Sequence, residues 1–366
     1  MRIKNANLGL SYIDTLPREI LGGVVGSHFS PKDLLIVGCV NKQWNDTFSA
    51  ISIWNDAMQN KVLILADQSL KLKDPKKAYV QHLKTEENMK RGRYTVSNIF
   101  AFQDSSNILI TIKHLAIISD KIFCVLPRSK LIYDITKKHD KRSLEGHKDN
   151  LRSLYVFNGK LVSGSNDCDI RIWEEDGSSK VLKGHDGTVS CFTILNNHLV
   201  SGSFDGFVAQ WKGDNYEVLL DTDDVITSVT VFEGRIVTCD RTMTDSKVRI
   251  WNQDQTVFKE FQKANLPIVF DNKLVMGLST GELLVYFNDK TTKYKSPANE
   301  IKSICVAWDK LVSGSDDGTL CIWDTDFNLC TALTTNYIRG IITIAPKEDK
   351  LVTTSMDGWM RLWEFK

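Results

Sequence analysis

One phrase of this chain reads KLVSGSND at residues 160–167 and ends in Trp173. It returns twice with the same tryptophan ending, as HLVSGSFD at residues 198–205 and as KLVSGSDD at residues 310–317. Weaker copies begin at Lys121, Arg235, Lys273 and Lys350. Successive copies start 37 to 40 residues apart, which makes seven copies in register. A fixed period of this length indicates a repeat architecture.

Each copy combines short stretches of strand character with tight turns. An alternating strand leads into a turn that carries Asp-Gly or a substitute, and a further strand ends at an aromatic residue. An apolar strand such as VSCFTIL at residues 189–195 precedes each phrase. The pattern resembles the WD-repeat family, whose units fold into the four-stranded blades of a β-propeller. The resemblance covers residues 94–366 and implies a mainly β fold, a seven-bladed propeller.

Histidine, serine or threonine, aspartate and tryptophan recur at fixed places in these copies. In the WD-repeat family they form a hydrogen-bonded set within one blade, in which the turn aspartate holds the histidine. The resemblance gives this structural role to His147, Asp167, Trp173, His185, Asp205 and Trp211. The copies with Asp245, Asp317 and Asp357 lack the histidine, and the first and fifth copies have Tyr133 and Tyr286 in the tryptophan place. Because the set repeats as a building element, it argues against a Ser-His-Asp hydrolase, and the sequence predicts no catalytic residue.

The end of the chain predicts how the ring closes. The sequence stops at Lys366, directly after a strand of the last copy, so that blade lacks its outer strand. An open edge of this kind invites pairing with other chains. The stretch TVSNIF at residues 95–100, with Tyr94 before it, is the best candidate for the missing strand.

The first hundred residues change from a period of two to helical spacing. LPREIL at residues 16–21 places a proline at a helix start, and SPKD at residues 30–33 offers an N-cap followed by proline. A third helix follows NKQWN at residues 41–45. The order of these segments resembles the F-box over residues 12–54. We therefore expect an F-box at 1–54, a helical linker at 55–93 and the propeller at 94–366.

The F-box resemblance implies a specific partner. Three helices this short cannot bury a full core alone, and in the F-box family the Skp adaptor of cullin-based ubiquitin ligases covers their apolar surface. The adaptor-binding residues implied by the resemblance are Leu16, Pro17, Ile20, Leu21, Leu34, Leu35, Val40 and Trp44. The alternative is a helical cap that packs on the propeller of the same chain.

Basic residues recur near the start of the strand that opens each copy. Aligned on the repeat, this place reads Lys113, Arg152, Ser190, Thr227, Asn265, Lys302 and Arg339. In F-box/WD-repeat proteins, arginines near this place capture phosphorylated segments, so Lys113, Arg152, Lys302 and Arg339 are the candidate substrate-binding residues. The alternative is that these cations are ordinary exposed residues at strand ends and bind no substrate. The residues before the turn aspartate, such as Phe204 and Met356, are mostly not basic and favour a partly apolar site.

Composition limits the remaining classes of function. With 46 Lys+Arg against 45 Asp+Glu, the chain gives no reason to expect binding to nucleic acid or to a membrane surface. The eight cysteines are scattered, with no C-x-x-C pair and no histidine at metal spacing, so we expect thiols in a reducing compartment and neither a metal nor a cofactor. This predicts the cytoplasm or the nucleus, or the cytosol of a host if the chain comes from an intracellular microbe.

Taken together, the sequence predicts a non-catalytic substrate receptor of an Skp–cullin–F-box ubiquitin ligase. Its partners are the Skp adaptor with the cullin core and a protein substrate that is phosphorylated or acidic. The alternative is a WD-repeat scaffold that assembles protein complexes without degradation.

Overall fold

The structure is a computed structural model that describes residues 95–103, 109–118, 121–136, 142–241, 246–334, 340–347 and 350–365. For residues 95–110, Arg241 and Thr334 the description is limited to the backbone. The chain divides into two units, Met1–Glu86 and Glu87–Lys366, and every described residue lies in the second unit. The expected F-box at 1–54 and the expected helical linker at 55–93 therefore lie outside the described residues.

The described strands form seven antiparallel sheets, of which six have four strands and one has five. Each sheet is a blade, and this confirms the predicted seven-bladed, mainly β fold. The first two strands, β1 (Thr95–Gln103) and β2 (Leu109–Ile110), belong to the last blade. Blade 1 contains β3 (His114–Ile118), β4 (Lys121–Val125), β5 (Ile132–Asp134) and β6 (Arg142–Leu144). Blade 2 contains β7 (Leu151–Phe157), β8 (Lys160–Ser165), β9 (Ile170–Trp173) and β10 (Ser179–Leu182).

The next four blades repeat this order. Blade 3 contains β11 (Val189–Leu195), β12 (His198–Ser203), β13 (Phe207–Lys212) and β14 (Asn215–Asp221). Blade 4 contains β15 (Ile226–Phe232), β16 (Arg235–Arg241), β17 (Ser246–Trp251) and β18 (Val257–Gln262). Blade 5 contains β19 (Ala264–Phe270), β20 (Lys273–Leu278), β21 (Leu283–Phe287) and β22 (Lys290–Tyr294). Blade 6 contains β23 (Ile301–Ala307), β24 (Lys310–Ser315), β25 (Thr319–Trp323) and β26 (Leu329–Thr334).

Blade 7 is built from both ends of the propeller sequence. It contains β27 (Ile341–Lys347), β28 (Lys350–Ser355) and β29 (Trp359–Glu364). Strand β1 then pairs antiparallel with β29, from Thr95 opposite Glu364 to Ala101 opposite Trp359, and β2 pairs with the far end of β1. This confirms the prediction that the stretch after Tyr94 supplies the missing strand. The last blade thus has no open edge at β29.

The first strands of the blades form the inside of the ring. Each contacts the first strand of the next blade, and β27 of blade 7 contacts β3 of blade 1. Apolar side chains fill the space between adjacent blades. At the closing joint, Ile112 and Cys124 of the blade 1 segment share one buried cluster with Val352 and Met360 of blade 7. Side-chain packing therefore closes the ring in addition to the backbone pairing of β1.

Tight turns set the register of the hairpins. Asn158 and Gly159, between the first two strands of blade 2, have φ values of 49° and 71°. Two successive residues with positive φ match the type I′ turn, whose twist suits a two-residue hairpin. Asn196 and Asn197 play the same part in blade 3 with φ values of 49° and 62°. The turns thereby fix which residues face each other across each hairpin, and second strands such as β8 and β24 are buried on both faces.

Candidate functional site

One end of the propeller carries most of the polar residues that the sequence points to. We call it the upper face and define it by two sets of segments. The loops before the first strands are 145–150, 183–188, 222–225 and 295–300, and the turns after the second strands are 166–169, 204–206, 316–318 and 356–358. Backbone hydrogen bonds tie the two sets together within a blade, for example Asn166 N to Asn150 O and Phe204 N to Thr188 O, both 2.9 Å.

In blade 2 the structure brings His147, Asp167 and Trp173 together through a fourth residue. His147 Nδ1 lies 2.9 Å from Asp167 Oδ2, and His147 Nε2 lies 2.8 Å from Ser163 Oγ. The same serine oxygen accepts a 2.8 Å hydrogen bond from the indole N–H of Trp173. The result is a relay that runs from the turn at the upper face into the blade interior.

Blade 3 repeats the relay with His185, Asp205 and Trp211. His185 contacts Asp205 Oδ2 at 2.9 Å and Ser201 Oγ at 2.7 Å, and Trp211 donates to Ser201 Oγ at 2.8 Å. Burial opposes ionisation of Asp205, but hydrogen bonds from His185 and from the backbone of Phe207 outweigh it and hold the carboxyl pKa at about 2. In blade 2, burial lowers the pKa of His147 even though Asp167 favours its charged form. Both groups are committed to internal bonds, so neither relay offers a nucleophile to a substrate.

The serine of the relay is the member that the sequence-derived residue list left out. Every tryptophan-bearing blade donates its indole N–H to a serine or threonine of the second strand, at 2.8 to 3.0 Å. The acceptors are Ser163, Ser201, Thr238, Ser313 and Thr353. The signal was present in the KLVSGS phrase, where a serine recurs ten residues before the tryptophan in three copies.

The blades without histidine use other partners for their acidic groups. In blade 4, Arg249 bonds Asp224 at 2.5 Å, Asp240 at 3.2 Å and Glu260 at 2.6 Å. Asp245, which the sequence placed in that role, lies outside the described residues. In blade 7, Arg361 pairs with Asp357 at 2.7 Å, and in blade 6 Asp317 accepts the backbone N–H of Asn299 at 2.8 Å. Of these acids, Asp224, Asp317 and Asp357 lie in upper-face loops or turns, whereas Asp240 and Glu260 lie on strands β16 and β18.

Two of the predicted basic positions, Arg152 and Lys302, are bulge residues of the first strands, and Lys113 lies directly before β3. In blade 2 the register shifts between Leu151 and Ser153, so Arg152 is the extra residue, and in blade 6 Lys302 occupies the same place. Arg152 and Lys113 are exposed, and Lys302 is partly buried. A bulge re-aims its side chain, which places these cations on the upper face.

The repeat alignment needs a correction in the last blade. There the shift falls between Ile341 and Thr343, so the equivalent residue is Ile342 rather than Arg339. The cause is the final spacing of 40 residues between copies, which displaced the sequence alignment by three positions. Arg339 itself lies outside the described residues, and its role in substrate binding remains a prediction.

The cations differ in how far their charge is compensated. Lys302 forms a 2.6 Å ion pair with Glu300, whereas Arg152 donates from Nε to the neutral amide oxygen of Asn166 at 2.8 Å. His114 lies near both Lys113 and Arg152. Burial, helped by these two positive charges, lowers the pKa of His114 to about 4, so this imidazole is neutral at pH 7. Of the predicted cations that the structure describes, Lys302 alone has an ion pair with a described carboxylate, and Lys113 and Arg152 lie on blades 1 and 2.

Two of the residues before the turn aspartate are exposed apolar side chains. Phe204 of blade 3 is 41% exposed and Met356 of blade 7 is 43% exposed. Val225, in the loop before blade 4, is 38% exposed. The upper face thus presents apolar as well as basic side chains.

Comparison with known proteins assigns the repeats. The family described as WD domain, G-beta repeat matches residues 139–174, 177–212 and 291–324, which cover blades 2, 3 and 6. Three of the seven blades of this propeller therefore match WD40 repeats. No curated protein sequence matches it.

Solved structures support the propeller fold of this chain. The WD40 β-propeller domain of Doa1 superposes with a TM-score of 0.61 at 17% identity, covering 75% of this chain and 97% of that one. The computationally designed Ika8 protein gives 0.55 at 17% identity, covering 73% and 98%. At these identities the likeness concerns the fold alone.

The adaptor-binding residues of the sequence analysis are not placed by the structure. Leu16, Pro17, Ile20, Leu21, Leu34, Leu35, Val40 and Trp44 all lie outside the described residues. Within the described ranges, no group of three or more His, Cys, Asp or Glu side chains is arranged to hold a metal ion. In the same part of the chain, no helix has the length and apolar character needed to cross a bilayer.

Proposed function

We propose that this chain is the substrate-recognition subunit of an Skp–cullin–F-box ubiquitin ligase. The observation that carries the proposal is the order of its parts. An F-box-like sequence at residues 12–54 precedes a WD40 propeller, and the closing strand β1 begins at Thr95. WD40 propellers are a fold used for protein interaction, and specificity in such rings lies in the loops at their faces. The first region would bind the adaptor, and the propeller would hold the substrate.

In this role the chain acts by placing its substrate rather than by chemistry of its own. Holding a substrate lysine near the ubiquitin-charged enzyme makes the transfer effectively intramolecular. The cysteines of the propeller fit a non-catalytic part, because burial raises the pKa of Cys191 and Cys305 to about 12. A thiol with so high a pKa is a poor nucleophile at pH 7.

The experiment that tests the proposal is a pulldown of a purified Skp adaptor by the full chain. We expect binding by the wild type and at least tenfold weaker binding by the double variant Leu16→Ala, Pro17→Ala. The matched control is Lys76→Ala, Lys77→Ala in the expected linker, which keeps full binding. Failure of the wild-type chain to bind an adaptor that binds a known F-box protein would overturn the ligase proposal.

A second candidate function is a scaffold that assembles protein complexes without degradation. The upper face favours it equally, because a mixed basic and apolar surface suits protein binding whatever the fate of the partner. The two candidates differ in one measurement. A scaffold predicts stable client levels when the proteasome is inhibited, whereas a ligase receptor predicts that captured clients accumulate.

A further inference from the structure

The outer strand of blade 3 has an open edge. Strand β14 pairs with β13 along one side, and within the described part of the chain no strand pairs with its other side. At seven residues it is longer than the outer strands of blades 1, 2, 4, 5 and 6. In blade 7 the outer strand β1 already carries a fifth strand, β2, on its far side. An outer strand of this propeller can therefore accept a further strand.

The residues of β14 leave this edge accessible. Its first four residues, 215–218, are all exposed, so side chains on both faces of the strand reach solvent there. They pair with β13 in regular register, and the bulge of β14 comes only at Leu219. A bulge is one of the devices that keep an edge from pairing with other chains. Here it lies beyond the four exposed residues and leaves their edge unprotected.

Two apolar side chains share one face of this edge. Tyr216 is 42% exposed and Val218 is 37% exposed, and they are two residues apart on the strand. The Tyr216 ring packs on the Trp211 ring with centroids 5.1 Å apart, and it lies so close to Gly184 that a Cβ there would overlap it. The tyrosine is thus held in place before any partner binds. Such a pair suits contact with β-branched or aromatic residues of a neighbouring strand.

The charge around β14 is negative. Residues 212–224 contain five acids and one cation, in a chain whose net charge is +1. Three of these acids form ion pairs of 2.5 to 2.7 Å, namely Asp214 with Lys180, Glu217 with Lys212 and Asp224 with Arg249. Asp221 and Asp223 are exposed, and neither forms an ion pair with a described residue. The uncompensated charge therefore lies at the C-terminal end of β14.

Neighbouring segments strengthen this asymmetry along the strand. The backbone N–H of Asp221 donates to Gln255 of blade 4 at 3.3 Å. The cleft beside that turn is lined by two acids, Glu233 and Asp254, and by one cation, Arg235. At the other end of β14, the exposed cation Lys183 precedes the glycine that Tyr216 covers. A cation is thus favoured at the Asp221 end of the edge rather than at the Tyr216 end.

The outer strands of blades 1, 2, 4, 5 and 6 are less suited to strand addition. Strands β6 and β10 have only three and four residues. Strand β22 carries Lys290 and Lys293, and lysine on an edge strand opposes pairing. Strands β18 and β26 are irregular near their starts, where Phe258 and Cys330 are extra residues opposite the third strand. Arg235 also covers the Phe258 ring, at 4.1 Å from its centroid.

We propose that the open edge of β14 binds an extended segment of a partner protein as a fifth strand of blade 3. The segment runs antiparallel to β14, the more stable arrangement for a pair of strands. It carries lysine or arginine at its N-terminal end, beside Asp221 and Asp223. Two β-branched or aromatic residues, two positions apart, then contact Val218 and Tyr216. Apart from Asp223 this surface uses no residue of the upper-face loops, and the inference holds whether or not the chain is a ligase receptor.

Binding of labelled peptide pools to the full chain, measured by fluorescence anisotropy, tests the proposal. The probe pool has lysine at its first two positions, isoleucine at its fourth and sixth, and randomised residues elsewhere. We expect it to bind at least tenfold more tightly than a pool with the same fixed residues in reversed order. Equal binding by the two pools would overturn the proposal, because the charge along β14 would then impose no orientation on the segment.

The peptide backbone distinguishes strand addition from contact through side chains alone. In an added strand, alternate residues direct their N–H groups at the edge. A single peptide from the probe pool, N-methylated at one residue at a time, is therefore expected to lose at least tenfold in affinity at every second residue. The residues between are expected to lose less than threefold. A loss without this alternation would overturn the proposal.

Variants of the edge and matched controls complete the test. Val218→Lys is expected to weaken binding of the probe pool at least tenfold. The double variant Asp221→Asn, Asp223→Asn is expected to weaken it at least fivefold at low salt and to reduce its salt dependence. The controls are Leu329→Lys, 39% exposed on the outer strand of blade 6, and Asp326→Asn, an exposed acid before that strand. Both controls are expected to change affinity less than twofold. Wild-type binding by either edge variant, with an unchanged circular dichroism spectrum, would overturn the proposal.

Discussion

Blades 3 and 5 share a four-strand meander, but they fill their interiors differently. Blade 3 buries the polar relay in which Ser201 joins His185 to Trp211. In blade 5 the equivalent residues are Met276 and Tyr286. The Tyr286 ring packs edge-on against Phe232 and Phe261, and its hydroxyl donates to Asp289 at 2.7 Å rather than into the blade.

The difference shows that the serine and the tryptophan are replaced together: blade 5 has methionine in place of the serine and tyrosine in place of the tryptophan. A buried indole N–H must have an acceptor, so a blade that keeps tryptophan keeps a serine or threonine on the neighbouring strand, two residues from the one opposite the tryptophan. Where tyrosine replaces tryptophan, that need disappears, and an apolar residue fills the place. Blade 1 corrects the sequence analysis, because Tyr133 pairs with Cys124 and Ile135 bonds Ile122, so Ile135 rather than Tyr133 occupies the place of the tryptophan. This blade has neither the tryptophan nor the serine. Four variants test or sharpen this comparison.

The largest loss of stability is expected when the methionine of blade 5 replaces the equivalent serine of blade 3. Ser201→Met leaves the Trp211 indole and the His185 ring without the hydroxyl that both bond, and it adds volume to a filled interior. We expect the free energy of unfolding in urea to fall by about 4 kcal/mol. The control is Met276→Leu in blade 5, which conserves volume and costs less than about 1.5 kcal/mol. A cost for Ser201→Met no larger than that of the control would contradict the pairing rule.

The reciprocal exchange gives the next largest effect. Met276→Ser removes apolar volume from a fully buried site and leaves a hydroxyl that Tyr286 does not reach, which costs about 3 kcal/mol. Adding Tyr286→Trp supplies an indole N–H, and we expect the double variant to recover about 1 kcal/mol of that loss. The measurement is a double-mutant cycle by urea unfolding. Strictly additive costs would mean that the two positions are independent.

Acidification distinguishes blade 3 from blade 5 in a third way. The pKa of Asp205 is about 2, below its ordinary value of 3.8, so the relay contributes stability above about pH 4. That contribution is lost as the pH falls from about 4 towards 2, when the carboxylate becomes protonated in the folded state. Asp205→Asn is expected to be less stable at pH 7 but to lose less further stability over this interval. Parallel pH profiles for the variant and the wild type would contradict this assignment.

The smallest effect concerns the turn that precedes the third strand of blades 2 and 3. Blade 3 has Gly206 there with a φ of 90°, whereas blade 2 has Cys168 with a φ of 68°. A positive φ costs little for glycine and more for other residues. Cys168→Gly is therefore expected to raise the unfolding free energy by about 0.5 kcal/mol. Cys168→Ala, which removes the thiol but keeps Cβ, is the control, and an equal gain from it would assign the effect to the thiol.

The sequence predicted the number of blades and the closing strand because both depend on a repeated pattern. Seven phrases with one spacing define seven hairpins, and a last copy that ends after its third strand needs a strand from elsewhere. The Arg249 cluster was not predictable, because Asp224, Asp240 and Glu260 come from three different segments of blade 4. No periodic signal links those positions.

The site was predicted less completely than the fold. The place of Arg152 and Lys302 followed from the repeat, but the longer spacing before the last copy moved the equivalent residue of blade 7 from Arg339 to Ile342. Whether a cation is compensated depends on its neighbour in space, as Glu300 shows for Lys302. Aligning the copies predicts where a charged residue lies in its blade, but it does not predict which residue forms an ion pair with it.

Hydrogen–deuterium exchange of the full chain, with and without a purified Skp adaptor, tests the central claim most directly. The account predicts that adaptor binding protects amides within residues 12–54 and leaves the exchange of the seven blades unchanged. Protection confined to the upper-face loops, or no change anywhere at saturating adaptor, would contradict it.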